Sequence, residues 1–144
     1  MLEATGNAMP TQLTPEIEQK LWAEAEAAAG LAYAPYSEFH VGAALLTSEG
    51  EIISGCNVEN ASYGLTNCAE RTAVFRAIAE GKLSRGVSIA AIAVVQRDHH
   101  SCTPCGACRQ VLSEFGADAL VLYEFEGERR RSTVNALLPE SFQL

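Results

Sequence analysis

Ser88-Ile89-Ala90-Ala91-Ile92-Ala93-Val94-Val95 is the stretch that decides the architecture. The apolar run from Ile89 to Val95 does not alternate, as a strand with one wet face would. It is also far short of the roughly 18 residues that a membrane span requires. It reads as a strand covered on both faces, and so as a central strand. Outward towards the C-terminus, Cys105 to Phe115 reads as a helix entered through Pro104 and closed by Gly116. Ala119–Tyr123 reads as a strand, Arg129–Val134 as a fifth, and Asn135–Leu138 as a short helical turn before Pro139. Outward towards the N-terminus, Cys68 to Glu80 reads as a helix stopped by Gly81. Val41–Thr47 and Glu51–Val58 form a hairpin that turns at Ser48-Glu49-Gly50. Thr14-Pro15-Glu16 opens a further helix, with a hydroxyl cap, Pro at the first position and acid in the first turn. Ile17, Leu21, Ala25 and Ala28 recur at helical spacing up to Gly30. That face is largely alanine, which suits close packing on a flat surface.

Helices alternating with strands after an opening hairpin predict a three-layer α/β/α fold, a mixed five-stranded sheet with helices on both faces. The chain divides into a loose arm over 1–13 and one domain over 14–144. No internal repeat or low-complexity segment interrupts it.

Composition narrows the function classes. Of 144 residues, 48% are hydrophobic and 19% charged, a globular balance. Ten basic residues against 18 acidic ones leave a net charge of −8. Phosphate backbones are bound by Lys and Arg, so the charge argues against a nucleic-acid partner while leaving a small nucleoside open. The opening MLEATGNAMPTQL has no apolar core, so no signal peptide is expected and a reducing cytoplasm is the default. Five cysteines cannot all pair, and in that compartment clustered cysteines bind metal or do chemistry.

The chemistry concentrates in Cys68, Glu70 and Pro104-Cys105-Gly106-Ala107-Cys108. Cys105 and Cys108, three apart, share one face of a first helical turn. The unpaired N–H groups and dipole of that turn favour thiolate over thiol. Cys68 starts a second helix, and two converging helix starts would offer three thiolates to zinc. Three protein ligands leave the fourth tetrahedral position open, the mark of a catalytic site. Alone, the C-x-x-C is equally a redox pair or half of a structural site, with Cys102 as a possible fourth ligand. Thr103-Pro104 breaks the helix between Cys102 and Cys105, so Cys102 should point elsewhere. Cys56 reads as a small buried hydrophobe. Glu70, two residues after a ligand, is placed to take a proton from water activated by the ion. Arg71 and Arg109 either donate to the cysteine sulfurs, offsetting the surplus negative charge of three thiolates, or are ordinary surface residues. The three histidines and the Arg129-Arg130-Arg131 run carry no functional signal beyond a solvated surface.

Cys-Ala-Glu followed by Pro-Cys-x-x-Cys is similar to the zinc-deaminase signature in its three-cysteine form. Further blocks agree. Tyr33-Ala34-Pro35-Tyr36-Ser37-Glu38-Phe39, Gly55-Cys56-Asn57-Val58-Glu59-Asn60, Asn67 to Thr72, Pro104 to Val111 and Leu137-Leu138-Pro139 stand in order over about residues 14–144. Together they resemble the short, homotetrameric cytidine deaminases of the cytidine/deoxycytidylate deaminase superfamily. The resemblance implies one zinc per subunit on Cys68, Cys105 and Cys108, with Glu70 shuttling protons. It implies Asn57 and Glu59 on the ribose hydroxyls, Phe39 stacked near the base and the Ala69 N–H on the pyrimidine carbonyl. Tyr63 and Phe142 match positions that reach into a neighbour's pocket in a homotetramer with shared sites. The residues themselves agree in part. Asn57 and Glu59 alternate along a strand end and share a face, and an amide with a carboxylate suits a diol. Phe39 suits a planar base, its alternative being core packing. The reaction implied is hydrolysis of cytidine and deoxycytidine to uridine and deoxyuridine plus ammonia, a step of pyrimidine salvage. The alternatives are a related aminopyrimidine nucleoside such as blasticidin S or a free base, a nucleic-acid-editing deaminase opposed by the charge, and a non-enzymatic zinc module.

Overall fold

The computed structural model describes residues 13–144, so the expected arm lies outside the described residues except for Leu13, which packs against the core. Helix α1 (Pro15–Ala29) begins where the Thr14 hydroxyl accepts the Ile17 N–H at 3.2 Å, a cap worth about 1 kcal/mol. Strands β1 (Val41–Thr47) and β2 (Ile52–Cys56) form the hairpin, with Gly50 at positive φ in its turn. Helix α2 (Ala69–Ala79), β3 (Ile89–Gln96), α3 (Gly106–Gly116), β4 (Leu120–Phe125), β5 (Glu128–Thr133) and the single turn α4 (Val134–Leu137) follow. The sheet order is β2-β1-β3-β4-β5. Only β3 and β4 are parallel, joined across α3, so the sheet is mixed with β3 at its centre.

The period of two along each strand sends side chains to two cores. Ala44, Leu46, Ala91, Ala93 and Val95 face Leu21, Trp22 and Ala25 of α1. Val41, Ala43, Leu45, Ile92, Val94 and Val121 face Ala69, Ala73 and Val74 of α2 and Leu112 of α3. Two glycines set the spacing between layers. A Cβ on Gly42 would lie 1.9 Å from the Ala25 carbonyl oxygen, so the alanine face of α1 rests on bare backbone. On the opposite face, a Cβ on Gly55 would lie 2.4 Å from Ala73 N and 2.8 Å from Ala69 O in α2.

Some expected boundaries move. The second strand ends at Cys56, because the Asn57 N–H turns back to Val41 O and Val58 pairs instead with Tyr33 and Asn67. β2 is an edge strand, so its burial alternates and Cys56 is half-buried rather than enclosed. A short 3-10 turn at Tyr63–Leu65, absent from the sequence reading, precedes α2.

Candidate metal and nucleoside site

Cys68 and Cys105 occupy the N-cap positions of α2 and α3, where Ser, Thr, Asp or Asn normally accepts a helix N–H. Neither sulfur caps its helix. Both turn instead towards Cys108 in the first turn of α3, and the three Sγ atoms lie within 4.8 Å of one another. Among the described residues this is the one group of its kind. The Cys68–Cys105 separation is 3.8 Å. Tetrahedral Zn–S bonds of about 2.3 Å place two sulfurs about 3.8 Å apart, so the donor set fits zinc in both chemistry and spacing.

The protonation of the sulfurs follows from their neighbours. The Cys68 thiol is held down to about 5, chiefly by a hydrogen bond from Cys108 and also by Arg71. Cys108 is pushed well up because it gives that bond and is buried. A cation would take the place of the shared proton. Arg71 donates from Nη2 to Cys68 Sγ at 3.2 Å, while its buried Nε finds no partner in the chain. Arg109 is a correction. It donates to Pro104 O at 2.7 Å and Leu137 O at 2.8 Å, tying the cysteine loop to α4 rather than meeting a sulfur. Cys102 lies outside the sulfur group, its thiol pushed up to about 12 first by burial and then by the charge of Glu70.

Glu70 is only 4% exposed. Burial pushes its carboxyl up to about 7, and the Cys68 charge pushes the same way. A pKa near the working pH is what a group that both takes and gives protons needs. Ala69, the first residue of α2, has an N–H with no acceptor within the helix.

The expected nucleoside contacts gather around the loop before β1. Glu59 Oε1 accepts the N–H groups of Tyr36 at 2.9 Å and Ser37 at 3.1 Å. Asn57 accepts the Val41 N–H at 2.8 Å and donates to Phe39 O at 2.8 Å, leaving one amide proton free for a ligand. Phe39 is 39% exposed, which removes core packing as its explanation. Its ring stacks on His100, with centroids 6.5 Å apart and planes at 24°. Tyr63 is 75% exposed and meets the Tyr36 ring edge-on. With Tyr36, Ser37, Glu59 and Thr66 it lines a cleft of about 360 Å3 in its own chain. Phe142, 72% exposed, lies against α3 elsewhere, with its carbonyl accepting from Gln110.

Ser37 and His100 are the residues that sequence reasoning missed. Ser37 stands inside a quoted block without a role. His100 reads as solvated, because the buried Gln96 that turns its loop by accepting the Asp98 and His100 N–H groups carries no sequence signal. Among the described residues no helix is long and apolar enough to cross a membrane.

Comparison with known proteins adds the context. Residues 15–124 match the model of the cytidine and deoxycytidylate deaminase zinc-binding region. The chain is 52% identical over 126 residues to the cytidine deaminase of Halalkalibacterium halodurans, covering 86% of this chain and 92% of that one. The crystal structure of a cytidine deaminase from Burkholderia pseudomallei superposes with a TM-score of 0.79 at 49% identity, covering 90% of this chain and 100% of that one. A blasticidin-S deaminase of Bacillus cereus is 34% identical over 107 residues, 72% of this chain and 76% of that one.

Proposed function

The chain belongs to the cytidine and deoxycytidylate deaminase family, and on that premise we propose that it hydrolyses cytidine and deoxycytidine to uridine and deoxyuridine plus ammonia, in pyrimidine salvage. One observation carries the reading: three sulfurs suited to zinc, with a buried carboxylate on the helix start that carries Cys68. Cys68, Cys105 and Cys108 hold the ion. Zinc in such a site supplies a Lewis acid that makes water nucleophilic near neutral pH. Glu70 accepts a proton from the attacking water and passes it to ring N3 as the oxygen adds to C4. Glu70 then takes the second proton from the hydroxyl now on C4 and delivers it to the exocyclic nitrogen. The C4–N bond breaks, ammonia leaves and C4 becomes the carbonyl of the uracil ring.

The remaining residues bind and orient. The Ala69 N–H takes the pyrimidine carbonyl, Phe39 stacks on the base, and Asn57 with Glu59 takes the sugar hydroxyls. Arg71 offsets thiolate charge. We read residues 14–144 as one domain of a cytoplasmic homotetramer in which Tyr63 and Phe142 complete a neighbour's site. Their exposure, 75% and 72%, supports this, as does that of Phe75 and Ile78 on α2. Size-exclusion chromatography tests the assembly, and elution at monomer size counts against it.

The function is tested by the loss of ultraviolet absorbance as cytidine is converted. Activity abolished by a chelator and restored by zinc is expected; activity indifferent to the chelator overturns the reading. Blasticidin S belongs in the same assay, since the lower identity to its deaminase predicts a slower reaction than with cytidine.

A further inference from the structure

A compact side-chain network away from the sulfurs centres on Ser37. Its Oγ donates to Glu59 Oε2 at 2.5 Å and accepts the Phe39 N–H at 3.0 Å. A hydroxyl has one proton and two lone pairs. With Phe39 holding a lone pair, the proton has one destination, the Glu59 carboxylate. Glu38, at φ 58, turns the chain between the two contacts. The Tyr36 and Ser37 N–H groups fasten the other carboxylate oxygen. Three donors from two adjacent residues therefore brace one acid, which lines the cleft shared with Tyr63. These bonds, that of Ser37 foremost, hold the Glu59 carboxyl below its usual range and so ionised.

We infer that Ser37 is a positioning residue that aims the Glu59 carboxylate at the sugar hydroxyls and keeps it in register with Phe39, so that sugar and base are recognised as one unit. This rests on the proposed roles of Glu59 and Phe39. Ser37 touches no reacting atom, and its loss should weaken only those substrates that have a hydroxyl for Glu59 to hold. Free hydroxyl-to-carboxylate bonds in water are weak, and the gain lies in removing the rotational freedom of a half-exposed side chain before the substrate arrives.

The test compares cytidine with 2′,3′-dideoxycytidine in the zinc-loaded enzyme. For Ser37→Ala, kcat/KM on cytidine should fall about tenfold, mostly through KM, with the dideoxynucleoside changed less than about threefold. Ser37→Thr, which keeps the hydroxyl, should recover most of the loss. Calorimetric titration with uridine and 2′,3′-dideoxyuridine should show the same selective weakening without any chemistry. Zinc content and melting temperature identify any misfolded variant, and Ser37→Thr then carries the comparison with Glu59→Ala. If Glu59→Ala removes the preference for cytidine while Ser37→Ala leaves it intact, the positioning role falls and the sugar-binding reading stands. If Glu59→Ala leaves the preference intact, both fall. Equal losses on the two substrates would reduce Ser37 to a structural residue and overturn the inference.

Discussion

The sulfur side of the site and the nucleoside side are built on opposite plans. Cys68, Cys105 and Cys108 converge within 4.8 Å in one chain, from two helix starts that the sheet holds in place, with Glu70 buried beside them. Phe39, Tyr63 and Phe142 are exposed, and the rings that Phe39 and Tyr63 meet, His100 and Tyr36, stand on loops. In the reacting half Cys108 and Glu70 are buried, Cys68 is half-buried and Cys105 alone is exposed. On the proposed reading, the recognising half presents an open face to substrate and to a neighbouring subunit. Chemistry that depends on charge and proton position gains from burial, since interactions strengthen as water leaves. Recognition of a ligand that must enter and depart requires a face left open.

The contrast can be broken by removing one sulfur. Cys105→Ala should drop bound zinc from about one per chain to well below half and abolish turnover, read by metal analysis alongside the absorbance assay. Stoichiometric zinc with activity would mean that the sulfur side is not a unit. Glu70→Gln comes next. Its kcat should fall about 10²–10⁴-fold while zinc stays bound, and near wild-type turnover would remove Glu70 from proton transfer.

Those two residues were also the most legible in the sequence, because the helix starts that place them are local. Proline, glycine and cysteine spacing suffices to read them. The central strand was legible for a similar reason, since Ile89–Val95 is apolar at every position. Arg71 and Arg109 show where legibility stops. Arg71 follows Cys68 by three residues and Arg109 follows Cys105 by four, so spacing allows each to meet a sulfur. Arg109 is drawn away by Leu137 O, 28 residues distant, a partner that only the folded chain reveals. The Ser37–Glu59 bond spans 22 residues and was invisible on the same ground.

Effects on the open side should be smaller and should appear in KM. Phe39→Ala should raise the KM for cytidine about tenfold, with kcat within a few-fold. A large kcat loss would mean that the ring also orders the reacting half. Removing the support behind it, His100→Ala, should raise KM only about two- to fivefold, as expected of an aromatic contact near the surface.

The smallest effect concerns the neighbouring His99, whose Nδ1 lies 3.0 Å from Glu124. Glu124 raises the His99 pKa above 6.5 by hydrogen bond and charge, with Glu26 adding to this and Arg129 opposing it. The stability it adds is therefore full below about pH 6.5 and fades as pH rises through the folded pKa. Melting temperatures of wild type and His99→Gln should differ at pH 6, and the gap should narrow as pH rises through the folded pKa. A gap that does not narrow with rising pH would show that the loop is held by neutral contacts instead.

Gly55 has a mechanical consequence for the sulfur side. It acts as a gauge block between two machined parts, since its missing methyl sets how far the first turn of α2 stands from the sheet. Cys68 and Glu70 ride on that turn, while Cys105 and Cys108 ride on another helix. An alanine at 55 would push Ala69 and Ala73 back by about half an ångström or more and carry one sulfur and the acid away from the other two sulfurs. The tolerance of the metal centre is thus written in an edge strand that never touches it.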